Sequence, residues 1–197
     1  MWLFLGICAL PLWAAWVVYL DPTLVPRERV NRGELIEPPR SMPDIHLHTL
    51  EGRPFQFKDL VGRWAILWLI GSSCDEDCPW KLYQMRQIAL VLNQERVYLE
   101  RLVVPLDPRL NSQLGRHLKD YPGTWMITGP ASEIAALADQ IRAAGGLKPG
   151  EPGSFCVIDP QGNLILRYPY DADPRDMLKD LKRLLRYSLV EGRDPRT

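Results

Sequence analysis

The chain has 197 residues, 24 basic and 24 acidic side chains, and 46% hydrophobic residues. That length accommodates one ordinary domain plus something extra, and the balanced charge carries no footprint of nucleic-acid binding. Four cysteines are too few for a secreted scaffold built on disulfides.

The extra part comes first. Trp2 to Leu20, WLFLGICALPLWAAWVVYL, runs without a charge, and as a helix it spans about 28 Å, close to the roughly 30 Å hydrocarbon core of a bilayer. Residues 1–21 are therefore expected to form a single transmembrane anchor, mildly kinked at Pro11, with Trp13, Trp16 and Tyr19 suited to the membrane interface. A cleaved signal peptide has a shorter apolar core, a basic start and a small-residue cleavage site; none of these is found. Arg27, Arg29 and Arg32 follow the span and nothing basic precedes it. On charge alone that places the rest of the chain in the cytoplasm, and a short basic leader is expected to have been lost ahead of Met1.

Residues 22–42 are rich in proline and arginine, with Pro22, Pro26, Pro38 and Pro39 spoiling regular elements, and are expected to be a tether. A single domain is expected over 43–190, with a polar tail at 191–197. DIHLHTLEGRPFQFKDL alternates across a Glu51-Gly52 turn and predicts a hairpin or two short strands. WAILWLI, Trp64 to Ile70, is the continuous apolar run of a central strand buried on both faces. Leu82, Met85, Ile88, Ala89 and Leu92 recur at helical spacing, predicting a helix from Pro79 to about Asn93. RVYLERLVV predicts a strand, followed by a short helical stretch to Lys119, strand TWMIT, and a helix opened by Pro130 and stopped by Gly145-Gly146. SFCVID and NLILRY are strands joined at Pro160-Gln161-Gly162, and Met177, Leu178, Leu181, Leu184 and Leu185 stripe a last helix. The order is that of a three-layer α/β domain.

Chemistry is concentrated in GSSCDEDCPW, Gly71 to Trp80. Pro79 suits a first helical position, which makes Cys78 the expected N-cap and leaves Cys74 in the loop behind the central strand. A helix N-terminus favours thiolate, but Asp75, Glu76 and Asp77 oppose it by like-charge repulsion. A cation reverses that sign, since two thiolates are soft ligands for monovalent copper. The residues leave three readings open: a metal site, a slow disulfide, or two structural thiols. Zinc is disfavoured for want of a second ligand pair.

These residues resemble the SCO/SenC family of membrane-tethered, thioredoxin-fold proteins implicated in copper delivery to cytochrome c oxidase. LEGRPFQFKDLVGRWAILWLIGSSC resembles the lead-in hairpin and central strand, and CDEDCP the family's CxxxCP. VVPLDPRL resembles its strand ending in Asp-Pro-x-Arg; TWMITGPASEIAALA and FCVIDPQGNLILRYP resemble later elements, so that the likeness covers Pro43 to about Tyr187. It implies a thioredoxin-like three-layer domain behind one transmembrane helix, held in the inner membrane and facing the periplasm, with an oxidase subunit as a protein client. It implies Cys74 and Cys78 as both redox and metal-ligating residues and copper as the cargo.

One departure matters. The family's third copper ligand is a histidine just ahead of the final hairpin, where this chain reads LKPGEPGSFCVID, with Glu151, Gly153 and Ser154 at the plausible positions. His46 and His48 fall on what is expected to be a solvated strand face, His117 on a polar helical stretch, and Cys156 reads as a buried apolar residue. Pro152 resembles, one position out of step, the cis-proline that faces the cysteines in thioredoxins. Three functions therefore compete: a copper-handling or thiol-reducing assembly factor, a thiol-disulfide oxidoreductase with no metal role, and a scaffold that has lost the chemistry. In a redox role Cys74, expected to be the more exposed, attacks and Cys78 resolves.

Overall fold

The computed structural model describes residues 31–190 apart from Ser72, Ser73, Asp75 and Glu76, together with Leu10, Trp13, Trp16, Val17 and Leu20. Met1–Val30 and Asn31–Thr197 are separate compact units. The five described residues of the first unit are helical. The rest of the expected anchor over 1–21, and the tail at 191–197, lie outside the described residues. Among the described residues no helix is long and apolar enough to cross a membrane.

The second unit is built on eight strands: β1 (Glu34–Ser41), β2 (Leu47–Thr49), β3 (Pro54–Phe55), β4 (Trp64–Ile70), β5 (Leu99–Pro105), β6 (Thr124–Thr128), β7 (Gly153–Ile158) and β8 (Asn163–Pro169). They form one sheet in the order β1-β8-β7-β4-β5-β6-β2-β3. At its centre β4 runs parallel to β5 and antiparallel to β7. Four helices cover it: α1 (Asp77–Val91), α2 (Asn111–Leu118), α3 (Ala131–Ala143) and α4 (Pro174–Val190).

All seven residues of β4 are buried, as its unbroken apolar run predicts. Alternation divides them between two cores. Trp64, Ile66, Trp68 and Ile70 pack with Leu82 and Met85 of α1, Leu114 of α2 and Met177, Leu181 and Leu185 of α4. Ala65, Leu67 and Leu69 pack on the other face with Ile134, Leu137 and Ile141 of α3. The three layers are thus helices α1, α2 and α4, the sheet, which ends in the β2–β3 hairpin, and α3. Gly52 closes that hairpin at a φ of 79°, a conformation open to glycine.

Two boundaries differ from expectation. The strand expected at RVYLERLVV begins only at Leu99, because Asn93 leaves α1 at a φ of 53° and Asn93–Tyr98 wind as a 3-10 helix. The proline-rich reach expected to lack regular structure contains β1, paired antiparallel with β8. Prolines are tolerated there because β1 is the sheet edge and its register slips between Leu35 and Arg40, so Pro38 and Pro39 withhold no ladder hydrogen bond. Ile36 of this strand is 6% exposed and belongs to the second core.

The start of β1 is fixed from α4. The buried Asp180 carboxylate accepts the Arg32 and Gly33 amides at 2.8 and 2.9 Å and the Tyr168 hydroxyl at 2.8 Å. Burial and the neighbouring Asp180 push the Tyr168 phenol well above its ordinary pKa.

Candidate functional site

The site begins where β4 ends. Gly71 donates its N–H to the Pro152 carbonyl at 2.7 Å, and a Cβ at Gly71 would stand 2.7 Å from that same oxygen. Beyond it Cys74 is joined to Cys78 by a disulfide, Cα to Cα 5.1 Å, within the ordinary reach of such a bond. Both cysteines lie in the first core, beside α1 and the sheet face that carries Trp68, Phe155 and Tyr168. Pro152 thus meets Gly71 through its carbonyl, but among the described residues the cis peptide precedes Pro38, so Pro152 does not match the cis-proline of the resemblance.

Two expectations are corrected. Helix α1 starts at Asp77, so Cys78 sits inside its first turn and is not the N-cap. Every amide of a helix's first turn lacks an intrahelical partner, so Pro79 marks that turn without fixing which residue opens it. Nor is Cys74 the more exposed sulfur carrier: Cys74 is 2% and Cys78 1% exposed in the disulfide form, so exposure does not choose between attack and resolution.

Residues from elsewhere in the chain surround the pair. Gln113 of α2 donates from Nε2 to the Cys74 carbonyl at 2.5 Å, and the Tyr121 hydroxyl donates to the Pro79 carbonyl at 3.0 Å. Lys81, three residues after Cys78 on the buried face of α1, places its ammonium 4.7 Å from the centre of the Tyr170 ring. Burial pulls the Lys81 ammonium below its ordinary pKa, against the opposing pull of Asp77 and Asp171. Sequence reasoning missed all three. For Lys81 the signal was its i,i+3 spacing from Cys78; for Gln113 and Tyr121 there was none, since both reach the site by tertiary packing.

The positions named for a third copper ligand are otherwise engaged. Glu151 gives its carboxylate to the Arg167 guanidinium and accepts the Lys148 amide at 3.2 Å. Arg167 stands opposite Cys156 in the β7–β8 ladder, and Cys156 belongs to the second core. Its neighbours Leu166 and Tyr168 point into the first. Alternation therefore puts Arg167, and Glu151 with it, on the sheet face away from the cysteine pair. Gly153 carries no side chain, and a Cβ there would fall 2.2 Å from the Leu69 carbonyl oxygen. Ser154 donates its hydroxyl to the Gly146 carbonyl at 2.6 Å and lies 3.9 Å from the Cys156 sulfur, again on the far face.

The histidines come no nearer. His48 lies on β2, which β5 and β6 separate from β4, a lateral distance of about 14 Å at the usual strand spacing. Exposed His46 meets the Gln56 amide nitrogen at 2.7 Å through Nδ1, and His117 is half-buried on α2. Cys156 is fully buried, near the Gly146 carbonyl at 3.3 Å. Among the described residues no group of three or more histidine, cysteine, aspartate or glutamate side chains is arranged to hold a metal ion. The described residues thus form a two-sulfur site and do not complete a three-ligand copper centre.

A CxxxC pair joined between the central strand and the first helix of such a sheet defines a thioredoxin-like thiol protein. The chain belongs to the family described as "Transmembrane-like, thioredoxin-like, C-terminal domain", whose model matches residues 64–188. The resemblance to SCO/SenC proteins is shared with curated relatives. An SCO2-like protein of Rickettsia felis is 22% identical over 152 residues, covering 71% of this chain and 74% of the relative. The mitochondrial SCO1 protein of Saccharomyces cerevisiae is 25% identical over 135 residues, covering 61% of this chain and 46% of the relative. Among solved structures, yeast Sco1 with copper bound superposes with a TM-score of 0.60 at 20% identity, covering 78% of this chain and 92% of that one. BsSco, described as a cytochrome c oxidase assembly protein with a disulfide switch, gives 0.60 at 18% identity, covering 81% and 99%. These likenesses establish the thioredoxin-like fold.

Proposed function

We propose that this chain is a membrane-anchored, SCO-like assembly factor for the copper centres of cytochrome c oxidase, held in the inner membrane with its thioredoxin-like domain in the periplasm. Its working group is the Cys74/Cys78 pair, used chiefly as a dithiol that reduces the cysteine ligands of an oxidase subunit. The observation that carries this reading is the disulfide at the head of α1, with no third metal ligand beside it among the described residues. Relatives named for SCO proteins, one solved with copper bound and one described with a disulfide switch, support both the client and the chemistry.

In the reducing step one thiolate of the pair attacks a sulfur of the client's disulfide, releasing the other client sulfur as a thiolate. The second cysteine then attacks the mixed disulfide, forming Cys74–Cys78 and freeing the client dithiol. Two electrons pass from this protein to the client, whose thiols are then free to take copper. Copper as cargo on Cys74 and Cys78 alone is the second reading, favoured by the soft donor set and the acids of the intervening sequence.

The deciding experiment uses the full chain in detergent. The reduced protein is titrated with monovalent copper against a chelator, and the disulfide potential is measured on the same sample. A potential in the range of known exchangers with no copper retained supports the reducing role. Tight binding of one equivalent, lost in Cys74→Ser, transfers the assignment to copper carriage; failure of both leaves a scaffold.

A further inference from the structure

From the contacts around the disulfide we infer that Gln113 is a positioning residue that favours the oxidised state of the Cys74–Cys78 pair, with Tyr121 fixing the helix against which that state is held. The inference rests on the redox reading above. The two donors grip opposite sides of the covalent link. Tyr121 binds the Pro79 carbonyl, which lies inside the first turn of α1 and belongs to the helix whether or not the sulfurs are joined. Gln113 binds the Cys74 carbonyl, which lies ahead of the helix.

Reduction treats the two contacts differently. When an external dithiol donates two electrons, its thiolate attacks one sulfur, the Cys74–Cys78 bond breaks, and the reductant closes to its own disulfide while both cysteines end as thiols. Two thiols cannot stay at bonding distance, so Cys74 and Cys78 must separate. Cys78 is held within α1, whereas Cys74 lies outside any helix or strand, so the displacement falls on Cys74, whose carbonyl carries the Gln113 bond. The Gln113 contact is therefore worth more in the oxidised form than in the reduced form. The Tyr121 contact, on the stationary helix, is worth the same in both. Gln113 and Cys74 are 39 positions apart in the chain, so this amide ties α2 to the backbone beside the sulfur pair.

The test is a redox equilibration of the full chain in detergent against mixtures of reduced and oxidised dithiothreitol, with thermal unfolding of both redox forms. Gln113→Met removes the donor while keeping the side chain's length. It is expected to move the equilibrium toward the dithiol about fivefold, the effect of one ordinary hydrogen bond, which for a two-electron couple is a potential about 20 mV more positive. Gln113→Ala should give the same shift. Tyr121→Phe should lower the unfolding midpoint of both forms alike and leave the potential at the wild-type value. A potential unchanged in both Gln113 variants overturns the inference, as does an equal shift in Tyr121→Phe, while the wild-type potential stands. A wild-type disulfide that no dithiothreitol mixture opens instead removes the redox reading itself, and the role of Gln113 with it.

Discussion

The Arg167 guanidinium holds the Glu151 carboxylate on the sheet face opposite Cys74 and Cys78. Burial alone would lower the Arg167 pKa, but Glu151 and Glu34 together hold it above its ordinary value. Glu34 in turn is drawn below the usual carboxylate range, first by Lys148 and then by Arg167, against the opposing effect of burial. A side chain committed to a buried cation on one face cannot also be a ligand on the other. The segment ahead of β7, where the SCO/SenC resemblance implies a metal ligand, is here an ion-pair fastening between β1, β8 and the loop before β7.

Glu151→Ala should therefore cost stability without touching the sulfur site. Arg167 keeps Glu34 at 3.0 Å but loses its second carboxylate, a loss of about 2 kcal/mol in urea unfolding. Copper uptake by the reduced variant should match the wild type in the chelator competition. A fall in copper affinity would mean that Glu151 leaves Arg167 to reach the metal.

A chain shortened to begin at Pro43 should be markedly less stable than one shortened to begin at Asn31. The shorter form loses the buried Ile36, the Arg32 and Gly33 amides bound by Asp180, and the Glu34 partner of Arg167. Loss of the apolar side chain and stranding of a buried carboxylate together cost on the order of 4 kcal/mol. Denaturation of the two forms side by side measures it; equal midpoints would mean that β1 adds nothing to the fold.

These first two predictions mark where sequence reasoning stopped. β4, β6 and the last helix were legible because their apolar runs or stripes are local and uninterrupted. β1 was not, because Pro38 and Pro39 carry the signature of a linker and only the neighbouring β8 makes the segment a strand. The cysteine pair was legible as a pair, since spacing and Pro79 place it at a strand-to-helix junction. Its burial and its contacts with Gln113 and Tyr121 depend on residues dozens of positions away, which no local pattern encodes.

Gly71→Ala should disturb the cysteines through the backbone. The new Cβ meets the Pro152 oxygen at 2.7 Å and its carbonyl carbon at 3.0 Å, both main-chain atoms that cannot swing aside. Either β4 and β7 part at their ends or the chain leaves β4 in a new direction, and both displace Cys74. The expected outcome is a lower unfolding midpoint together with faster reduction by dithiothreitol. A variant with wild-type reduction kinetics would show that Cys74 is positioned independently of Gly71.

Cys156 should be silent in every thiol measurement on the native protein. Burial pushes its thiol from an ordinary 9.0 up to about 12, with Ser154 and Arg167 opposing that rise. At pH 8 it is neutral and enclosed, so iodoacetamide should modify it only after unfolding. Its effect on stability follows from the direction of the shift. Below pH 9 the thiol is neutral in both folded and unfolded chains and does not bias the balance. Above pH 9 the unfolded thiol ionises while the folded one does not, so stability should fall as pH rises from about 9 toward about 12. Cys156→Ala should remove that contribution and flatten the alkaline limb of the stability profile. A limb of unchanged slope would assign it to another group, and native alkylation at pH 8 would mean that this face of the sheet opens to solvent.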